Sequence, residues 1–407
     1  MSVPDLERFA AGAAALLFAN GQTTEGVDLS VARVGRACGG RFGLVPSWGS
    51  LVLLSERIPS GLPVPAAPLG VDMGRVGAVE RLVDQVVAGD VTAADGIGAL
   101  AAIGRMPPVG LPRLALMAAA GAASLAVIFG ATDVLTLALV ATVTGLGACL
   151  RRGASRLSAN AFLQPFLAAG LAGLAAGAGA ASGLDVSHRL AAVCPCMVLV
   201  PGPHLLNGAI DLLRSRIALG AARLGFAGLI VLAICAGLLL GLTAAGTGLA
   251  AGGPPPRVPF AFDVIAAGVA IAAYGSFFNM GWRTLPIPAA VGMLAHALRW
   301  GMLAEGASVQ AGALGACLLV GTVMTPVAAR LRLPFGALAF TSVVSLMPGI
   351  FLFQAAAQAV SVAGGRLADP TASLLGLVTN GVTACLVVMA MAFGLIVPKL
   401  CLDRWCR

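Results

Sequence analysis

Two nine-residue strings, LVPGPHLLN from Leu199 to Asn207 and LMPGIFLFQ from Leu346 to Gln354, each interrupt a long apolar stretch that otherwise reads as helix. Their Pro-Gly pairs lie 147 residues apart, at Pro201-Gly202 and Pro348-Gly349. Proline removes a backbone donor and clashes with the preceding turn, at about 3 kcal/mol, and glycine is itself a weak helix former. In hydrocarbon the freed backbone groups need other partners, so irregular backbone at membrane depth persists only where it packs on protein or lines a cavity. Paired interrupted helices in the two halves of a chain point to the binding site of a secondary transporter.

Composition supports a membrane protein. Of the 407 residues 59% are hydrophobic and 10% charged, with a mean hydropathy of +0.96, whereas soluble domains carry about 25% charged residues. The charges are uneven: residues 1–113 hold 19 of the 42 Asp, Glu, Lys and Arg, and residues 114–398 hold another 19 over a far longer stretch. A soluble domain therefore precedes a membrane domain. The net charge of +8 is carried almost wholly by arginine, Lys399 being the single lysine, a bias that fits a GC-rich bacterial genome. These arginines fall singly or in pairs between apolar runs, as membrane-flanking residues do, and form no basic stripe for nucleic acid.

At about 20 apolar residues per span, ten spans are expected: 114–131, 134–150, 161–182, 189–212, 224–247, 260–281, 284–303, 308–329, 335–363 and 371–398. Small-residue stretches such as Leu167 to Ala181 let helix backbones approach closely. A homo-oligomer is compatible with such a bundle. Loops on the side of the N-terminus hold 12 basic residues, at 151, 152, 156, 214, 216, 223, 283, 330, 332, 399, 404 and 407; the other side holds four, Arg189, Arg257, Arg299 and Arg366. The positive-inside rule places both termini in the cytoplasm of a cell whose inner membrane the chain crosses. The N-terminus is no secretory signal, since Asp5 and Glu7 precede its short apolar run where positive charge is required.

The 147-residue offset also relates Gly121 to Gly268, and nearly relates Gln164 to Gln310. Each half then holds five spans, and an odd number turns the second half upside down relative to the first. The expected fold is an α-helical polytopic membrane protein of two inverted five-helix repeats, preceded by a small cytoplasmic α+β domain. The expected divisions are 1–113 for that domain, 114–254 and 255–398 for the membrane units, and 399–407 for a cytoplasmic tail. Within the first domain, a helix ends at Gly21, Thr24 caps a second running to about Ala37, and Phe42 to Leu54 holds two strand-like runs. A proline-rich link (Pro59, Pro63, Pro65, Pro68) leads to helices at 76–88 and 93–103, the latter capped by Thr92 with Asp95 three residues on.

The fourth span continues from Pro201-Gly202 through His204 and Asn207 to Asp211. Polar groups inside a bundle are costly, about 2.5–3.5 kcal/mol for a charge at its centre, and are usually kept for a pathway; the plainer reading pairs Asp211 with Arg214 at the helix end. After Pro348-Gly349 come Gln354 and Gln358, which offer hydrogen bonds or interhelical adhesion without charge. Asn380, and His296 with Arg299, read as packing or snorkelling residues. Cys194-Pro195-Cys196 resembles the membrane motif of soft-metal pumps, and thiolates do select copper(I) or zinc, but the phosphorylated aspartate and nucleotide domain of such pumps have no counterpart in this sequence. The chain has three histidines, none in the first 113 residues, which excludes a Ser-His or Cys-His hydrolase there unless its base comes from elsewhere. HExxH, P-loop and GxGxxG patterns are absent, so neither an enzyme nor a cofactor is expected.

The residues also resemble a family. FANGQTTEGVDLSVARVGRACG near the start, the helical pair GRVGAVERLVDQVVAGDVTAADGIGALAAI, VPGPHLLNGAIDLL, LPIPAAVGMLAHALRW and LMPGIFLF are together similar to the threonine/serine exporters, over nearly the whole chain. The resemblance implies an inner-membrane exporter of small neutral amino acids driven by the proton-motive force, and falls on Pro201, Gly202, Asn207 and Asp211. Some relatives carry the two membrane units on separate polypeptides, which suits a chain divisible near residue 255. Cys-Pro-Cys is not part of that pattern. The expected activity is amino-acid export by antiport with protons, taken up at Asp211 first or His204 second. The alternatives are a non-transporting scaffold whose first domain binds a cytoplasmic partner, and a soft-metal transporter using Cys194 and Cys196.

Overall fold

The structure, a computed structural model, describes residues 3–37, 39–183, 187–248, 258–331, 335–363 and 370–405. Arg257, Arg332, Arg366, Arg407 and the division expected at 254/255 lie outside the described residues.

The first helix, α1 (Val3–Ala19), carries Leu6, Phe9, Ala10, Ala13, Ala14, Leu17 and Phe18, all buried, so it forms the centre of the N-terminal unit. Around it pack α2 (Thr24–Ala37), α3 (Met73–Ala88), α4 (Ala93–Gly104) and an antiparallel sheet of β1 (Phe42–Pro46), β2 (Ser50–Ser55) and β3 (Ile58–Pro65). The expected proline-rich link is for the most part this third strand. It lies at the sheet edge, where prolines that cannot donate to a ladder are tolerated. Thr92 caps α4 as expected, its hydroxyl accepting from the Asp95 amide. Thr24 does not cap α2: the Thr23 hydroxyl accepts from the Gly26 amide at 3.1 Å, leaving the Thr24 side chain free for a distant partner.

The remaining helices are α5 (Leu111–Ile128), α6 (Val134–Leu157), α7 (Leu163–Ala181), α8 (His188–Met197), α9 (Gly202–Leu213), α10 (Ile217–Ala244), α11 (Phe260–Phe277), α12 (Pro286–Ala304), α13 (Val309–Leu331), α14 (Phe335–Val343), α15 (Gly349–Ala363) and α16 (Pro370–Trp405). Eight are long and apolar enough to cross a membrane. The pairs α8/α9 and α14/α15, bent by 62° and 53°, bring the number to ten when each bent pair is one span. The protein is a polytopic helical membrane protein. Arg223, expected in a loop, lies fully buried within α10.

The helix contacts pair off between the halves. α5–α6, α6–α7, α7–α10 and α9–α10 contacts have counterparts in α11–α12, α12–α13, α13–α16 and α15–α16; α5 and α11 pack on each other, and α9 meets α16 as α15 meets α10. Glycine makes the two tightest pairs. A Cβ on Gly237 would stand 2.1 Å from the Phe166 carbonyl oxygen, and one on Gly241 2.2 Å from that of Gly170, so α7 and α10 touch backbone to backbone; Gly321 and Gly394 do the same for α13 and α16. Replacing Gly237 by Ala is expected to destabilise the protein by about 1–3 kcal/mol through overpacking. Gly228→Ala, with open space around it, is expected to be neutral or slightly stabilising. Thermal unfolding in detergent distinguishes the two.

Candidate functional site

Both Pro-Gly breaks fold the same way. Pro201 has φ −79° and ψ 62°, the inverse γ-turn conformation, and the Gly202 amide donates to the Val200 carbonyl at 2.8 Å. At the second break the Gly349 amide donates to the Met347 carbonyl, also at 2.8 Å. Pro201 cannot donate to the Met197 carbonyl four residues back; that oxygen accepts instead from the Val200 amide at 3.3 Å and from the buried Tyr274 hydroxyl of α11 at 3.0 Å.

The breaks also meet. A Cβ on Gly202 would lie 3.4 Å from Met347, and one on Gly349 would lie 3.3 Å from Met197. Each glycine thus faces a methionine of the other bent helix; a Cβ would fit there in contact, whereas a bulky side chain would compete with that methionine for the same space. Pro201, Gly202, Pro348 and Gly349 are brought together at this crossing.

Below the first break, the polar residues of α9 are turned toward the N-terminal unit. Gly21, held at φ 92° where only glycine is unstrained, ends α1 and presents its carbonyl to Asn207 Nδ2 at 3.2 Å. Asn207 Oδ1, by contrast, is a buried acceptor with no hydrogen-bond donor among the described residues. Asp211, 1% exposed, accepts from the Thr24 hydroxyl at 3.0 Å and lies 3.3 Å from Arg223 Nε and 3.4 Å from Arg216. The contact with Arg223 Nε is ionic without hydrogen-bond alignment; that guanidinium also stacks over Phe18. Arg214, the partner expected from the sequence, pairs with Glu25 instead, at 2.7 Å. His204 is buried with its ring edge-on to Phe226. On the second break, Gln358 accepts from Asn380 Nδ2 at 3.1 Å, which is interhelical adhesion, and Gln354 sits half-buried one turn earlier. Cys194 and Cys196 are fully buried in α8, and among the described residues no three His, Cys, Asp or Glu are grouped to hold a metal.

The N-terminal unit grips both halves of the bundle on this face. Besides the contacts to α9, Asn279, in the loop after α11, donates to both oxygens of Asp72, and the Met73 amide donates to the Phe278 carbonyl at 2.8 Å. Between the unit and the ends of α13, α14 and α16 lies a cavity of about 410 Å³ whose lining includes Glu25, Arg33, Glu80, Asp84 and Lys399.

The family model of the threonine/serine exporter (ThrE) matches residues 8–245, and a second, Threonine/Serine exporter, ThrE, matches residues 263–401. The chain belongs to the threonine/serine exporter family. Together the two matches take in the N-terminal unit, both breaks and α16. No solved structure matches the chain.

Arg223→Gln leaves Asp211 buried without its closest cation and is expected to cost about 3–5 kcal/mol; adding Asp211→Asn is expected to recover part of that loss, read as the thermal midpoint. Burial pushes the Glu80 carboxyl up from the usual range, against hydrogen bonds from Ser30 and Gln22 and the charge of Arg33. The folded state therefore keeps this proton to higher pH than the unfolded chain, and stability is lost as pH rises through the raised value. Glu80→Gln removes that loss, so its thermal midpoint is expected to gain on the wild type as pH rises above the usual glutamate range.

Proposed function

We propose that the protein is a secondary transporter exporting threonine, serine or a similar small neutral amino acid from the cytoplasm across a bacterial inner membrane, in exchange for entering protons. The observation that carries this reading is the reciprocal crossing of the two Pro-Gly breaks. Helix N-termini favour an anion, so the start of α15 at the crossing presents the positive end of its dipole to the carboxylate of a zwitterion. The open Oδ1 of Asn207 is a further acceptor suited to an ammonium group.

The two membrane units, 114–254 and 255–398, are read as inverted repeats. Five spans each, the pairwise matching of helix contacts and the shared γ-turn at the breaks support this. With Arg223 removed from the loop count, basic residues still favour the side of the N-terminal unit, which reads residues 1–113 as a cytoplasmic domain; in place of the tail expected at 399–407, α16 runs on to Trp405, and its end falls on the same cytoplasmic side. That domain then covers the inner mouth. Thr24 and Gly21 bind Asp211 and Asn207 directly, and the mixed-charge cavity beside them is suited to collecting a zwitterion. Asp211, held between Arg216 and Arg223, is a better latch for that domain than a carrier of protons.

Counterflow of labelled threonine or serine in proteoliposomes tests the reading. The wild type is expected to exchange substrate, and Pro201→Ala and Pro348→Ala, which remove the proline from each break, are expected to slow exchange by about tenfold or more. No flux of any small neutral amino acid in the wild type would overturn the proposal and favour a scaffold.

A further inference from the structure

On the face of the bundle opposite the N-terminal unit, three side chains far apart in sequence form one hydrogen-bonded chain. Asp263 stands in the first turn of α11, His296 in α12, and Ser345 in the short 3-10 turn, Val344–Leu346, three residues ahead of Pro348. His296 Nδ1 lies 3.1 Å from Asp263 Oδ2 and Nε2 lies 2.8 Å from Ser345 Oγ. All three are buried, His296 completely.

The partners dictate the protons. An ionised carboxylate accepts only, so Nδ1 carries a hydrogen toward Asp263, and Nε2 of the neutral ring accepts from the Ser345 hydroxyl. A proton added at Nε2 reverses the second bond: the ring becomes the donor and Ser345 must accept, turning its own hydrogen away. Ser345 belongs to the turn that leads into the second break, so this reversal acts on the backbone that sets Met347 against Gly202.

A cavity of about 140 Å³ joins the chain to the break, lined among others by Asp263, Arg299, Ser345 and Pro348. The elements packed around it bring apolar groups: Ile128 and Phe129 at the end of α5, Ile350 and Phe351 from α15, Val387 from α16. Arg299, three residues beyond His296 on α12, is the charged side chain that shares the cavity with Asp263. Its fixed positive charge balances Asp263 while the ring is neutral and opposes retention of a further proton.

We propose that Asp263, His296 and Ser345 form the proton-carrying site of this transporter, with His296 Nε2 taking up and releasing the proton through the cavity beside Arg299. The inference rests on the proton-coupled reading above and assigns its coupling group to the second membrane unit.

The test uses the full chain in proteoliposomes with two readouts, threonine counterflow at equal pH and threonine movement driven by an imposed pH gradient. His296→Gln is expected to lose gradient-driven transport by about tenfold or more while exchange continues, and to abolish the substrate-linked pH change seen by an entrapped dye. Gradient-driven transport that survives in His296→Gln would overturn the assignment, as would equal loss of both activities in a monodisperse, folded variant. Should His296→Gln fail to fold, Ser345→Ala keeps the His-Asp pair and is expected to move the midpoint of the transport pH profile by about one unit; an unmoved midpoint overturns the proposal. A wild type that exchanges threonine but ignores the pH gradient would instead remove proton coupling itself.

Discussion

A proline inside a membrane helix leaves a carbonyl without its donor, and hydrocarbon contains no water to replace it. An unpartnered backbone group there costs several kcal/mol, so each break in this chain must be answered by the rest of the fold. At the first break the answer is local and distant at once: a γ-turn bonds Gly202 to Val200, and Tyr274, from the other half of the chain, donates to the Met197 carbonyl. The second break repeats the turn. Because each glycine packs on a methionine of the other bent helix, neither break has a stable environment without its counterpart. The close approach of α7 to α10 and of α13 to α16 through glycine then builds a compact shell around the crossing.

The N-terminal unit is tied into this arrangement by polar groups that are expensive to bury alone. Asp211 lies at the end of a bent helix where two arginines and a threonine converge, and the threonine comes from α2. Hydrophobic packing is shared as well: Leu219 of α10 joins the core around α1, and Met73 of α3 joins the core of the bundle. Thr24 and Gly21 of this unit cover Asp211 and Asn207 together.

Much of this was legible in the sequence because its causes are local. Bilayer thickness sets the length of apolar runs, so the ten segments stand out, and Pro-Gly interrupts a helix wherever it occurs. Thr92 with Asp95 announces a cap for the same reason. Other features depend on partners far along the chain. Thr23 and Thr24 are equally good caps on paper; the turn at Gly21 gives the role to Thr23 and leaves Thr24 to Asp211, 187 residues away. Arg223 sits at the border of an apolar run like any flanking arginine, and its burial follows from Asp211 on the preceding helix. The prolines of β3 hide a strand because only the edge position makes them tolerable. Asp263, His296 and Ser345 each look like a lone polar residue in apolar text, and only the folding of α12 against α11 and the second break joins them.

On the proposed function, substrate binds at the crossing of the two breaks. Saturable binding of labelled threonine to the purified protein tests it most directly, comparing the wild type with Gly202→Leu and Gly349→Leu, which fill the crossing, and with Gly228→Leu, which faces open space. Binding is expected in the wild type and in Gly228→Leu, and its loss in both filled variants. Undiminished binding in folded Gly202→Leu and Gly349→Leu protein would contradict it.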